Sequence, residues 1–369
     1  MNELSKSVDF LLDKAGPVIQ YRLRKEILRD LSEAEEAAML EKVYQMPHFK
    51  LVQSYVKESG YIGIGAHSGD RFHETYLQDG ETAARLLAYY GVPRSHPMVA
   101  NFVAAMRDEE TLRREFTFTP AEEKRYNDRD FGLNNVSGLT ALLLTMQSML
   151  GWGDDDYVKP FQRISLAAFE SLLPLLSVEE IVTRSGKNHT PYIDIDTHYP
   201  SVYHLAVLAY TRAWRTPETV KSLADCINHM DKILTGMPLG VKLHGKLTSY
   251  SLWKFVRPIR PFSADEFTNP ILYRRILTEL AMTGVGERAD CIRKSAVNVS
   301  EGIAKDGILR FNFENTKQKR RCFPAMGNYP TAYVECALED NYKTDTAIDC
   351  EMTFWAVQFL HLINQTEGK

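Results

Sequence analysis

Apolar residues recur at intervals of three and four along almost the whole chain, and strand-like alternation is rare. This period most constrains the fold, because it lets a helix bury one face. Start signals divide the pattern into segments. Ser32-Glu33-Ala34-Glu35, Thr119-Pro120-Ala121-Glu122, Ser177-Val178-Glu179-Glu180 and Ser263-Ala264-Asp265-Glu266 each read as a capping box. The hydroxyl can accept a free amide N–H while the glutamate reaches back to the cap. Thr216-Pro217-Glu218 is a further start. Gly91, Gly151 and Gly284 follow periodic runs, where a left-handed closing residue is needed. The pattern gives about a dozen helices, most of roughly 10–18 residues. Longer irregular stretches fall near 61–72, 184–199, 236–262 and 309–332. No linker divides the chain, so the expectation is one all-α domain over residues 1–369.

Two segments echo one another. One helix ends Tyr55-Val56-Lys57-Glu58-Ser59-Gly60-Tyr61-Ile62, and another ends Gly302-Ile303-Ala304-Lys305-Asp306-Gly307-Ile308-Leu309. Each passes from an amphipathic helix through an acidic or small residue and a glycine to an apolar residue. Ile233-Leu234-Thr235-Gly236-Met237 is a degenerate third copy. Repeated helical hairpins closed into a ring would bury an inner and an outer layer. The expected architecture is therefore an α/α toroid.

Composition excludes several classes of function. The net charge of −4 leaves no basic footprint for nucleic acid. The run Lys317-Gln318-Lys319-Arg320-Arg321 reads as a solvated loop. No run approaches a membrane span, and the start lacks the apolar core of a signal peptide. Five cysteines (Cys226, Cys291, Cys322, Cys336 and Cys350) show no paired spacing. Reduced thiols and a cytoplasmic location are expected. Oligomeric state is not readable.

Chemistry concentrates in residues 188–215. His189, His198, His204, Asp194 and Asp196 fall within sixteen positions, before an apolar helix. In an extended segment Asp194 and Asp196 share a side, and neighbouring carboxylates can split their pKa values so that one stays protonated. The alternative is a turn, with Asp196 or Thr197 capping the helix that begins near Tyr199–Ser201. His204 shares a largely apolar helix face with Ser201, Leu205 and Leu208, which suits a core histidine. No HxH or HxxxH spacing marks a metal site, and no metal or cofactor is expected. The Gly63/Gly65/Gly69 loop follows no strand, so it is not a dinucleotide fingerprint. Its glycines would instead let it fold over a cavity mouth and bring in His67 and His73. Tyr203, Trp214, Trp253, Phe354, Trp355 and Tyr329 are candidate cavity walls.

Helices ending in Lys/Gln-x-x-Gly-apolar resemble the degenerate repeat of the squalene cyclase and prenyltransferase superfamily, an α/α-toroid group. Pro17–Leu28, Pro200–Arg215 and Asp349–Trp355 resemble segments of uncharacterised bacterial proteins of that class. The class II cyclases of this superfamily carry an Asp-x-Asp-Asp acid, which Asp194-Ile195-Asp196-Thr197 matches except at the last position. The resemblance makes Asp196 the proton donor, with Asp194, His198 and His204 around it. Tyr203, Trp214, Trp253, Trp355 and His67 would contact the substrate. The zinc pattern of protein prenyltransferases is not matched, because Asp349 and Cys350 are adjacent and His361 lies eleven further on. The resemblance implies acid-catalysed chemistry on an apolar isoprenoid-type small molecule. Two alternatives stay open: a carbohydrate lyase or hydrolase on the same fold, and a non-catalytic small-molecule binder or scaffold.

Overall fold

The computed structural model describes residues 3–66, 78–115, 138–185, 190–194, 197–236, 239–243, 246–248, 254–264, 270–325 and 336–365. They form two compact units. The first comprises Met1–Thr117, Phe262–Thr278 and Lys294–Lys369. The second comprises Phe118–Pro261 and Glu279–Arg293. Among the described residues no helix is long and apolar enough to cross a membrane.

The chain begins with α1 (Glu3–Lys14), α2 (Pro17–Arg22), α3 (Glu33–Tyr44), α4 (Pro47–Ser54), α5 (Gly80–Tyr89), α6 (Pro97–Ala105) and α7 (Glu109–Glu115). There follow α8 (Gly138–Gln147), α9 (Lys159–Glu170), α10 (Val202–Tyr210) and α11 (Pro217–Leu234). The last four helices are α12 (Pro270–Thr283), α13 (Asp290–Gly302), α14 (Thr316–Cys322) and α15 (Asp345–Asn364). The cap signals act as the sequence indicates. Ser32 accepts the Glu35 N–H while the Glu35 carboxylate takes the Ser32 N–H. Thr216 caps α11, and Ser177 caps a short 3-10 turn. Gly91, Gly151 and Gly284 all have positive φ. The boxes at Thr119 and Ser263 involve residues outside those described.

Two expectations need correction. The chain is largely helical rather than all-α. Four strands, β1 (Thr183–Ser185), β2 (Thr190–Asp194), β3 (Gly240–Leu243) and β4 (Lys246–Thr248), form one sheet in the order β1-β2-β3-β4. β2 and β3 run parallel, and both outer pairings are antiparallel. These strands lie in the stretches read as irregular. Three to five residues are too few to show a period of two, and β2 contains a proline. Likewise α14 lies inside 309–332, where its basic composition hides it.

In the second unit, α10 packs between α8 and α9, and α11 packs on α9. Ala141, Leu144, Val158, Phe161, Ile164 and Val207 form one buried cluster there. Each fully buried Val, Ile or Phe contributes about 1.5–3 kcal/mol. In the first unit, α15 packs on α1, and the Trp355 ring stacks on Phe359 and meets Phe262.

The internal echo is structural. Val56 and Ile62 form an isolated antiparallel bridge, as do Ile303 and Leu309 at the same six-residue offset. Within them the Lys57 N–H donates to the Tyr61 carbonyl at 2.9 Å, and the Ala304 N–H to the Ile308 carbonyl at 3.1 Å. Gly60 and Gly307 supply the left-handed residue at φ +83° and +87°. Gly236, in the third copy, has φ +84°, but its turn continues into residues outside those described.

Gly307→Ala is expected to lower the melting temperature more than Gly236→Ala. Both force a side chain into the left-handed region, at about 1–2 kcal/mol. A Cβ at 307 would also lie 2.6 Å from the Ser7 backbone nitrogen, whereas at 236 nothing lies within 4 Å. Equal melting temperatures would show that close approach at Gly307 is not limiting.

Candidate functional site

The segment leaving β2 carries the site, and it lies wholly in the second unit. Tyr192 and Ile193 are buried in β2, with the Lys242 ammonium over the Tyr192 ring. Asp194 ends the strand, partly buried, in register with Lys242. Beyond it the Thr197 N–H donates to the Asp194 carbonyl at 3.1 Å. Asp196 and His189 lie outside the described residues. The chain is then pinned to a second segment. Lys254, itself buried, donates through Nζ to the carbonyls of Thr197 and Tyr199. The Phe255 N–H donates to the Pro200 carbonyl at 3.1 Å.

His198 and His204 differ in role. The Ser201 N–H donates to His204 Nδ1 at 3.1 Å, and Ser201 Oγ accepts the His204 N–H at 3.3 Å. This is a capping box with histidine in the glutamate position. The helix cap expected at Asp196 or Thr197 is thus supplied by Ser201. An acceptor at Nδ1 puts the ring proton on Nε2. Burial, the Lys254 charge and His198 hold the His204 pKa down to about 3, so the acceptor persists at neutral pH. His198 also has a lowered pKa, through burial and then Lys254. Its carbonyl accepts from Ser171 Oγ at 3.5 Å. Among the described residues its ring Nε2 is buried without a hydrogen-bond partner, and so is the hydroxyl of Tyr199. Burial pushes the Tyr199 pKa up, with Asp231 adding to it.

The expected cavity walls divide. Tyr203 is buried in α10, and its carbonyl lies 3.4 Å from Thr145 Oγ1. Trp214 donates Nε1–H to the Leu208 carbonyl at 3.0 Å, and Arg215 donates to the Ala209 carbonyl at 2.8 Å. Both satisfy the C-terminal end of α10. Asp154 fixes that turn by accepting the N–H groups of Arg212 and Ala213, each at 2.9 Å. Trp355 belongs to the first unit and donates to Thr278 Oγ1 at 2.9 Å. Trp253, Tyr329, His67 and His73 lie outside the described residues. Asp349 pairs with Arg310 at 3.4 Å, and His361 Nε2 lies 2.6 Å from Gln365 Nε2. Among the described residues no group of His, Cys, Asp and Glu could hold a metal ion.

Sequence reasoning missed Lys254, whose signal was a lone lysine between Trp253 and Phe255. It also missed a buried polar cluster in the first unit. Glu351 of α15 pairs with Arg274 at 3.6 Å and accepts the Leu338 N–H at 3.0 Å. Glu339, nearby, accepts the Gly16 N–H at 2.8 Å. Burial, opposed by that bond, and then the charges of Glu351 and Asp340 raise the Glu339 pKa to about 7. A second acid two residues after Asp349, just before the largely apolar run Met352–Val357, was the available signal for Glu351.

No family model matches this chain, and neither a curated protein nor a solved structure matches it.

Two outcomes follow from these environments. His204→Ala is expected to cost about 0.5–2 kcal/mol at pH 7 through loss of the ring's half of the capping box, the Ser201 N–H bond to Nδ1. Its folded pKa lies below the ordinary histidine value, so the unfolded chain binds more protons between pH 3 and 6.5. The wild type therefore loses this stabilisation on acidification, and the melting gap to His204→Ala should narrow from pH 7 to 4.5. A constant gap would contradict the cap role.

Glu339 has the opposite sign. Its folded pKa exceeds the unfolded value, so stability falls as pH rises from about 4.5 through 7. Glu339→Gln should melt higher than the wild type at pH 8, by an amount on the order of 2 kcal/mol, and match it near pH 4.5. Coincident melting curves at both pH values would refute the assignment.

Proposed function

We propose that the chain is a terpenoid-cyclase-like protein of paired helices closed into a ring. In this reading the segment from Asp194 to His204, with Lys254, binds a small molecule. The observation that carries the site is His198: a neutral imidazole whose buried Nε2 has no partner among the described residues. Leaving such a group unsatisfied costs about 1–3 kcal/mol, and such costs persist where a ligand uses the group. A neutral histidine can accept a proton or a hydrogen bond from substrate.

The Lys254 charge bears on what that substrate is. It already depresses both histidines, so the local potential is positive. A carbocation would be disfavoured there, whereas an anionic group would be favoured. This favours a ligand with a carboxylate or diphosphate over a bare hydrocarbon. An isoprenyl diphosphate fits the superfamily resemblance, and an acidic sugar fits the carbohydrate alternative. The resemblance gives the acid role to Asp196, with Asp194 beside it. A binder that has kept the site without chemistry is the second reading, supported by the use of His204 and Trp214 in holding α10. The five buried free cysteines suit a reducing cytoplasm.

Calorimetric titration with farnesyl diphosphate, digalacturonate and squalene tests the site. One of the two anionic compounds is expected to bind, and His198→Ala should weaken it by at least about tenfold. Binding of squalene alone, no binding of any of the three, or binding indifferent to His198→Ala would overturn the proposal. Product formed from the bound anionic compound would favour the enzyme over the binder.

A further inference from the structure

The residue before α2 is Gly16, which has no side chain to cap the helix. Its N–H donates to Glu339 Oε1 at 2.8 Å, a contact across 323 residues. In α3 the same bond is local, from the Ser32 N–H to Glu35 at 3.0 Å. Glu339 therefore supplies, from the far end of the chain, the carboxyl half of a capping box. The fit is close. A Cβ at position 16 would lie 2.7 Å from Glu339 Oε2 and 3.3 Å from its Cδ. The carboxyl group fills the space that a side chain there would need.

The loop 336–342 that carries Glu339 has a second anchor. Glu351 of α15 accepts the Leu338 N–H at 3.0 Å, with further bonds from the Glu339 backbone and the Tyr342 side chain. The Arg274 guanidinium of α12 lies 3.6 Å from Glu351 and balances its charge. Among the described residues Glu339 forms no ion pair, and the Gly16 N–H is what its carboxyl group bonds. Other titratable groups surround it. Glu351 and Cys350 come from α15, and Asp340 from its own loop. Tyr90, just past α5, senses Glu339 and Cys336, and its hydroxyl lies 3.4 Å from His48 Nδ1 of α4. Burial keeps Tyr90 and Cys350 protonated well above neutral pH. Glu339 instead changes charge at about pH 7. Asp340 is exposed, so water lies one residue away along the loop.

We propose that Glu339 is a proton-controlled latch between loop 336–342 and the start of α2. Protonated, its carboxyl group closes the loop onto Gly16. Ionised, it faces Glu351 and Asp340 without a cation of its own, turns outward to water and lets the loop lift, while Glu351 keeps its hold on Leu338. The closed state binds the proton more tightly than an open, hydrated one. Opening therefore becomes easier as pH rises from about 4.5 to about 7, and levels off above that.

Hydrogen–deuterium exchange of peptides covering 15–18 and 336–342, corrected for the intrinsic pH dependence of exchange, tests the latch. In the wild type their opening constant is expected to rise on the order of tenfold from pH 6 to pH 8, while peptides of α9, in the second unit, do not change. Glu339→Gln keeps the shape and an acceptor oxygen but cannot ionise, so its opening should be the same at both pH values. Gly16→Ala has an ordinary backbone conformation, with φ −71°, and its Cβ displaces the carboxyl group. Its loop should exchange faster than the wild type's already at pH 6. Four results would overturn the latch: wild-type exchange that ignores pH, a pH dependence that survives in Glu339→Gln and so belongs to another group such as His48, a Gly16→Ala loop as protected as the wild type's at pH 6, or an equal change throughout the chain.

Discussion

The ends of short helices govern this molecule. Each helix leaves four N–H groups and four carbonyls without partners inside it, and this chain has many short helices. Much of its polar chemistry is committed there. Ser32 with Glu35, Asp79 with the Thr82 N–H, and Ser201 with His204 close N-terminal ends. Trp214 and Arg215 satisfy carbonyls at the end of α10, and Asp154 holds the turn beyond it. Glycines at positive φ then turn the chain back on itself. A polar residue beside a helix end is therefore weak evidence of function in such a fold. The informative groups are those left over once every end has its partner.

This explains which parts of the chain were legible from sequence. Helix identity was readable because a 3.6-residue period and a cap signal reinforce one another, as at Ser32 and Thr216. The repeated turn at Gly60 and Gly307 was readable because a left-handed residue needs glycine. The sheet was not readable, since β1 to β4 hold too few residues to show alternation. The density of titratable groups at 188–204 marked a candidate segment but could not apportion its members. Histidine rarely takes the glutamate position of a capping box, so His204 read as a core histidine or a site residue and not as a cap. Lys254 is about fifty residues away in sequence, and pairing through backbone carbonyls leaves no motif.

Both units bury polar groups. In the first, charge is balanced locally: Arg274 faces Glu351, and Glu81 faces Arg85 at 3.4 Å with both fully buried. Such pairs roughly break even against apolar packing but are costly to break, which suits holding the 338–342 loop against α15. Glu339, bound to the Gly16 N–H, titrates near neutrality. Polar atoms without a hydrogen-bond partner among the described residues occur in both units: Thr82 Oγ1 in the first, and Ser165 Oγ, His198 Nε2 and the Tyr199 hydroxyl in the second. Balanced burial holds a fold together, whereas unbalanced burial is a cost that packing alone does not justify.

One charge links the fold to the candidate site. Lys254, His198 and His204 are close enough to shift one another electrostatically, so three positive charges cannot coexist there cheaply. Lysine has the highest intrinsic pKa of the three, and the carbonyls of Thr197 and Tyr199 accept its protons. The histidines yield and stay neutral. His204 must be neutral to accept the Ser201 N–H at Nδ1, so the same ammonium that disfavours a cationic guest also secures the cap of α10. His198 is kept neutral by burial and then by the same charge, but among the described residues no group occupies its Nε2. The difference between a histidine whose ring the fold uses and one whose Nε2 has no partner among the described residues is thus set not by pKa, which is lowered for both, but by whether a helix end lies within reach of the ring.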